Sequence, residues 1–355
     1  MSAASSASGR GWRSAALLVL IGVALALPFL VSNYRVFQLN MVLVYAIVLL
    51  GLNMLTGYNG QISLGHGAFY AIGAYVAAIL MDKFAWPYWA TIPAAAGVCF
   101  VSGFLFGLPA LRLRGHYLAL ATFALAVAMP QILKYKKIED WTGGVQGIVL
   151  IKPDPPFGLH VTADQWLYLF TLAVALVLFV LAWNILRGRT GRAMMAIRDN
   201  PIAAEAMGVN AAFYKSATFG VSALYTGVGG AIGSLVSAFV APDSFTPFLS
   251  IFFLVGIVVG GVASIGGVVF GAIFIQFTPN VADAVPGIVQ SWLQPLLADP
   301  SATSAKLAGA AIYLSKIGPQ AIYGLILLAF VYLMPTGVAG FVRLAWGRGR
   351  GRSTL

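Results

Sequence analysis

The chain alternates long apolar runs with short clusters of charge. Ser14 to Ser32, Val36 to Met81, Phe84 to Leu111, Ala217 to Pro242 and Ser244 to Ala282 contain no acid, lysine or arginine. A membrane-spanning helix needs about 20 apolar residues, so several of these runs hold two spans. The pattern predicts an all-α integral membrane protein of about ten transmembrane helices, at 15–32, 37–56, 61–81, 86–110, 116–133, 166–186, 216–241, 246–262, 266–282 and 318–341. Between them the reading places a cytoplasmic segment at 187–215 and two longer outer loops at 134–165 and 283–317. The membrane domain is 15–342, flanked by an amino-terminal tail (1–14) and a basic tail (343–355).

Composition agrees with this division. The chain is 60% hydrophobic and only 9% charged, against about 25% charged in soluble domains, so its apolar surface belongs in lipid. The formal charge of +11 would suggest nucleic acid in a soluble protein, but here its placement reads topology. With a cytoplasmic amino terminus, 12 of the 13 arginines fall on the inner face, which carries +11, while the outer face sums to zero. That asymmetry is the positive-inside pattern and predicts an even number of spans with both termini cytoplasmic. The first span has a second reading as a cleaved signal peptide, because Ala24-Leu25-Ala26 resembles a cleavage site. A retained helix is favoured because the apolar run continues to Val31. The single cysteine, Cys99, lies in an apolar run and reads as core packing.

Compared with itself, the chain repeats a motif. Gly60-x-x-Ser63-Leu64-Gly65-x-x-x-Phe69 recurs as Gly261-x-x-Ser264-Ile265-Gly266-x-x-x-Phe270. Both copies fall at turns that open an outward-running helix, as a parallel internal repeat would. Coincidence in a chain with 40 glycines is the alternative. In the first copy, Asn59, Gln61, Ser63 and His66 carry polarity into the membrane, where unpaired groups cost several kcal/mol each. They are expected to face the bundle interior near a cytoplasmic gate, together with Tyr70 and Ser264. The competing expectation is a purely structural turn, with Gly65 and Gly67 allowing tight packing.

Other chemistry is missing from the sequence. The predicted spans hold no Asp, Glu, Lys or Arg, whereas ion-coupled carriers keep such groups at membrane depth. No lysine follows a glycine, so there is no phosphate-binding Gly-Lys-Ser/Thr loop. No paired carboxylates, Cys/His metal spacing or Gly-x-Ser-x-Gly elbow occurs, so no catalytic or metal site and no cofactor is expected in this chain. Thr142-Gly143-Gly144-Val145-Gln146-Gly147 lacks a lysine and reads as a structured turn.

The cytoplasmic segment is the most informative soluble stretch. It divides into a helix over Gly191 to Arg198 and a second opened by Asn200 as N-cap with Pro201 at its first position, stopped by Gly208. Ile202, Ala206 and Val209 fall on one face of a compact knob that could seat in a cleft on a partner. An ordinary basic loop would explain the arginines but not the two capped helices.

Here the chain resembles a known family. Gly191-Arg192-Ala193 through Arg198, with Ala203-Ala204-Glu205-Ala206-Met207-Gly208, is similar to the coupling segment of branched-chain amino acid ABC transporter permeases of the LivM type. Gly57-Tyr58-Asn59-Gly60-Gln61-Ile62-Ser63-Leu64-Gly65-His66-Gly67-Ala68-Phe69-Tyr70 resembles that family's signature. Further matches are Arg112-Leu113-Arg114-Gly115-His116-Tyr117-Leu118-Ala119, Thr142-Gly143-Gly144 and Pro242-Asp243-Ser244-Phe245 leading to Gly260-Gly261. The resemblance implies a multi-pass protein of the bacterial inner membrane working with a second homologous permease, two ATPase subunits that bind ATP and magnesium, and a periplasmic solute-binding protein. It implies a translocation path for branched-chain amino acids, with urea, short amides and aromatic acids as alternative solutes of the same machine. The different-class alternative is a stand-alone channel or ion-coupled carrier, which would not need the capped segment.

Overall fold

The computed structural model describes residues 19, 21–113, 115–158, 160–297, 319–334 and 336–341. In chain order the helices are α1 (Ile21–Leu30), α2 (Asn33–Asn53), α3 (His66–Phe84), α4 (Tyr88–Ala110), α5 (His116–Leu133), the single turn α6 (Glu139–Thr142) and α7 (Ala163–Arg187). They continue as α8 (Arg189–Asp199), α9 (Pro201–Ala206), α10 (Ala211–Ser237), α11 (Pro247–Gly260), α12 (Gly267–Leu297) and α13 (Pro319–Leu333). A π-helical turn, Met54–Tyr58, extends α2. Eight helices are long and apolar enough to cross a membrane, and Ile21–Leu30 and Ala321–Phe330 are two shorter apolar ones. The molecule is a multi-pass membrane protein. Of the first expected span, 15–18 and Leu20 lie outside the described residues, as do the tails 1–14 and 343–355.

The bundle is organised around α10 and α2, its two most enclosed helices. Helix α10 packs on α4, α3 and α2, and α2 also meets α7, α11 and α12. Lipid offers no hydrophobic drive for helices to associate, so close approach by small residues has to do this work. A methyl group on Gly73 of α3 would collide with the backbone of Gly227, and one on Gly230 with the carbonyl of Tyr70. Cys99 fits the same pattern: it is buried and free, with Sγ 3.5 Å from the Phe69 carbonyl. The outer flanks expose Val98, Val101 and Leu105 on α4 and Val177, Val180 and Leu181 on α7, side chains suited to lipid.

One end of the bundle is closed by a small clasp. Strands β1 (Ile148–Val149) and β2 (Phe239–Val240) pair antiparallel, with Ile148 opposite Val240 and Val149 opposite Phe239. Lys134 pairs with Asp243 at 2.5 Å and Lys152 with Asp164 at 2.6 Å beside it. The Thr142-Gly143-Gly144 motif is a structured turn, in which Thr142 Oγ1 donates to the Leu133 carbonyl at 2.8 Å and accepts from Gly144 N at 3.3 Å.

Two expectations need correction. The helices outrun the hydropathy boundaries, because backbone hydrogen bonding carries on through polar residues; they take in Arg35, Asp82, Lys83, Asp164 and Lys215 in or near their end turns. The spans are therefore not free of ionisable residues. The segment from Asp283, expected as the start of an outer loop, continues α12 as helix to Leu297; 298–318 lie outside the described residues.

Candidate gate and coupling site

The polar turn between α2 and α3 is held by an internal hydrogen-bond network. Ser222 Oγ of α10 lies 2.7 Å from the Gly51 carbonyl and 2.7 Å from His66 Nε2. A hydroxyl has one proton, and the carbonyl can only accept it, so His66 Nε2 must be the donor to Ser222. Nδ1 is then the acceptor, and Ser63 Oγ donates to it at 3.1 Å while accepting from Gly65 N at 3.3 Å. For the neutral ring this pattern selects the Nε2–H tautomer. Phe69 and Phe219 flank its ring, with centroids 6.1 and 6.4 Å away.

Amides at the start of a helix have no intrahelical partner, and two in and just before the first turn of α3 find theirs on other helices. Gly67 N donates to Ser250 Oγ of α11 at 2.8 Å, and Leu64 N to Thr122 Oγ1 of α5 at 2.9 Å. Gln61 Nε2 reaches the Lys215 carbonyl at 3.2 Å. Asn59 differs from its neighbours: it is 2% exposed, and neither atom of its amide has a hydrogen-bond partner within the protein.

The second copy of the motif has a matching local plan. Helix α12 starts at Gly267 as α3 starts at His66, and Ser264 Oγ accepts from Gly267 N at 3.2 Å. Asn53 clamps this turn, with Oδ1 accepting from Ala263 N at 2.9 Å and Nδ2 donating to the Ser264 carbonyl at 3.1 Å.

Helices α8 and α9 lie at the same end as the first turn. Asn200 Oδ1 caps α9 by accepting from Ala203 N at 3.1 Å. Gly208, at φ 84°, turns the chain through a left-handed conformation that a side chain would resist. Ile197, Ala204 and Ala211 form a small core with Val209 and Tyr214. Gly191 and Ala193 are buried, Gly191 against the Leu186 backbone, whereas Arg192, Ala203, Glu205, Ala206 and Gly208 are exposed. The expected knob is corrected in one respect. The reversal at Gly208 folds Val209 inward, and the exposed apolar pair is Ile202 (80%) and Met207 (85%). Arg198 joins the two regions, since its Nη1 donates to the Gly57 carbonyl of the π-helical turn at 2.9 Å.

Of the expected path residues, the structure brings Ser63 and His66 into one network with Gln61 and Asn59 beside them. Ser264 lies across the Asn53 clamp. Tyr70 stands apart, packed on Phe245 and Phe253 at 6.0 and 5.8 Å. Sequence reasoning missed Asn53, Ser222, Thr122 and Ser250. Their signal was weak: each is a single polar residue within an apolar run, and its partner lies 58 to 211 positions away.

A helical multi-pass bundle with a capped two-helix appendage bonded to a buried polar turn has the architecture of a transporter membrane subunit. The chain belongs to the permease-component family of branched-chain amino acid transport systems, whose family model matches residues 34–315. It is similar to the high-affinity branched-chain amino acid transport system permease protein LivM of Salmonella typhimurium and to that of Escherichia coli, 35% identical to each over 283 residues. The match covers 73% of this chain and 66% of each relative, so the chain spans just under two thirds of their length. No solved structure matches it.

Proposed function

We propose that this chain is the permease subunit of an ATP-driven importer in a bacterial inner membrane, forming with a second, homologous permease the path for branched-chain amino acids. Two ATPase subunits, which themselves bind ATP and magnesium, dock on the α8–α9 face, and a periplasmic binding protein delivers solute at the opposite end. In this reading ten spans, counting α1 and α13, leave both termini in the cytoplasm, and the two Gly-x-x-Ser turns are copies of a parallel repeat.

The observation that carries the reading is the exposure of Ile202 on α9 and of Met207 at its C-cap. A helix of six residues is too short to stand alone in water, and apolar side chains presented on such a capped element fit a protein cleft. Gly191, Arg192, Ala193, Arg198, Ala203, Ala204, Glu205, Ala206 and Gly208 form or support that docking element. Asn59, Gln61, Ser63, His66, Tyr70 and Ser264 line or position the inner gate, with the unpartnered amide of Asn59 as the group best suited to meet a polar solute. Ile62, 42% exposed beside this buried network, marks where the turn reaches the surface.

The test is reconstitution of the chain in proteoliposomes with its second permease, ATPases and binding protein. Leucine, isoleucine and valine uptake should require ATP and all partners. Uptake by this chain alone would favour a stand-alone channel or carrier, and competition by urea, short amides or aromatic acids but not by leucine would move the solute assignment.

A further inference from the structure

The Arg198 contact lies in a longer chain of bonds. Arg198 Nε and Nη2 both meet Asp199 Oδ1 at 2.9 Å, which fixes the guanidinium plane and leaves Nη1 for the Gly57 carbonyl. The stem of Arg198 lies flat on the same turn: at Gly60, whose φ is 73°, an added Cβ would stand 2.7 Å from Arg198 Cγ. On its other side Gly57 meets the second turn. A methyl group there would stand 2.6 Å from Ala263 N and would collide with Asn53 Oδ1. Asn53, fully buried, holds that second turn at two points through Ala263 N and the Ser264 carbonyl. Ala263 itself sits at φ 57°, a left-handed conformation costly for a residue with a Cβ, which the Asn53 bond helps to hold.

We propose that Arg198 and Asn53 are positioning residues of a serial linkage, carrying displacement of α8 first to the Gly57–His66 turn and from there to the Gly261–Gly267 turn. The proposal rests on the importer reading, which supplies the displacement when the ATPases close. Coupling needs a contiguous set of contacts that shift together, and here backbone meets backbone at Gly57 and Ala263 with no flexible side chain between to absorb the motion. A π-helical turn at this point adds a segment whose register can change by one residue, a device found often at functional sites.

The serial order makes the test specific. Cysteines introduced in the assembled transporter by Ile62→Cys and Val262→Cys, each in a Cys99→Ala background, report the two turns, since both positions are exposed. With Arg198 intact, labelling by a small water-soluble thiol reagent changes at both positions between the nucleotide-free and ATP-trapped states. Compared in complexes that still co-purify with the ATPase subunits, Arg198→Ala abolishes the change at both positions; Arg198→Lys, which can still donate to the Gly57 carbonyl, restores part of it. Asn53→Leu, or Asn53→Ser should the leucine variant not insert, abolishes the change at position 262 alone. Wild-type behaviour in Arg198→Ala overturns the linkage, and loss at 62 with retention at 262 overturns the order. If neither position responds to nucleotide while the wild-type transporter still shows ATP-dependent uptake, the linkage fails and the importer reading stands; if uptake is also independent of ATP, the importer reading fails with it.

Discussion

Ser222 serves two helices with a single hydroxyl. It donates to the Gly51 carbonyl of α2 and accepts from His66 of α3, so its removal leaves a buried ring N–H without a partner. Leaving such a donor unsatisfied costs about 1–3 kcal/mol. Ser222→Ala should therefore lower the detergent-solubilised protein's thermal midpoint more than Ser237→Ala, whose hydroxyl serves only neighbouring backbone near the end of the same helix. Equal midpoints for the two variants would mean that the His66 network contributes nothing to packing. The polar turn itself was legible because Asn59, Gln61, Ser63 and His66 cluster within eight residues of an apolar stretch. What holds the turn was not, because Ser222, which meets His66, and Ser250, which meets Gly67 N, look like any other small residue in a membrane helix. Only the fold brings them across 156 and 183 positions.

At the scale of elements, α9 was the most legible part of the molecule, since its cap, its proline and its terminal glycine are local signals that act within one turn. The Asn200 cap and the stop at Gly208 occur as the residue types dictate. Helix ends in the membrane were less legible, because hydropathy marks where lipid ends and not where hydrogen bonding stops; hence the continuation of α12 beyond Asp283. Two predictions belong here. Glu205→Lys and Gly208→Trp both alter the exposed knob and leave the spans untouched. Both should insert and assemble yet lose the stimulation of ATP hydrolysis by the binding protein, and full stimulation with normal uptake would remove the docking assignment. In contrast, Gly73→Val places a branched side chain against the Gly227 backbone. Overpacking costs about 1–3 kcal/mol even in cores that can adjust, so this variant should show reduced yield and a lowered thermal midpoint before any question of coupling arises.

For the whole molecule, the distribution of charge bears on the energy source. Among the described residues no Asp, Glu, Lys or Arg is buried, although several lie in the end turns of membrane helices. Ion-coupled carriers keep a carboxylate or a free basic group inside the bundle, and the buried His66 has both ring nitrogens engaged by Ser63 and Ser222. Uptake into vesicles supplied with ATP should thus survive collapse of the proton and sodium gradients. Transport that stops with the uncoupler while ATP stays high would return the carrier alternative to the front. The overall class was readable from hydropathy and charge placement alone, whereas the central position of α10 was not. Its glycines and serines make it one of the less apolar spans by sequence, and those same small residues let three neighbours close in on it.

The Asn53 clamp also sets a timetable for synthesis. Its partner, the Ser264 carbonyl, lies 211 residues downstream. At about 5–20 residues per second, α2 emerges from the ribosome roughly 10–40 s before the turn it will hold. Throughout that interval the Asn53 amide must find hydrogen bonds elsewhere, and its place in the last turn of α2 puts it near the end of the span, within reach of water or lipid headgroups. An asparagine midway along the same helix would have no such waiting room, which leaves the newborn first half tolerable to the membrane until the second half arrives.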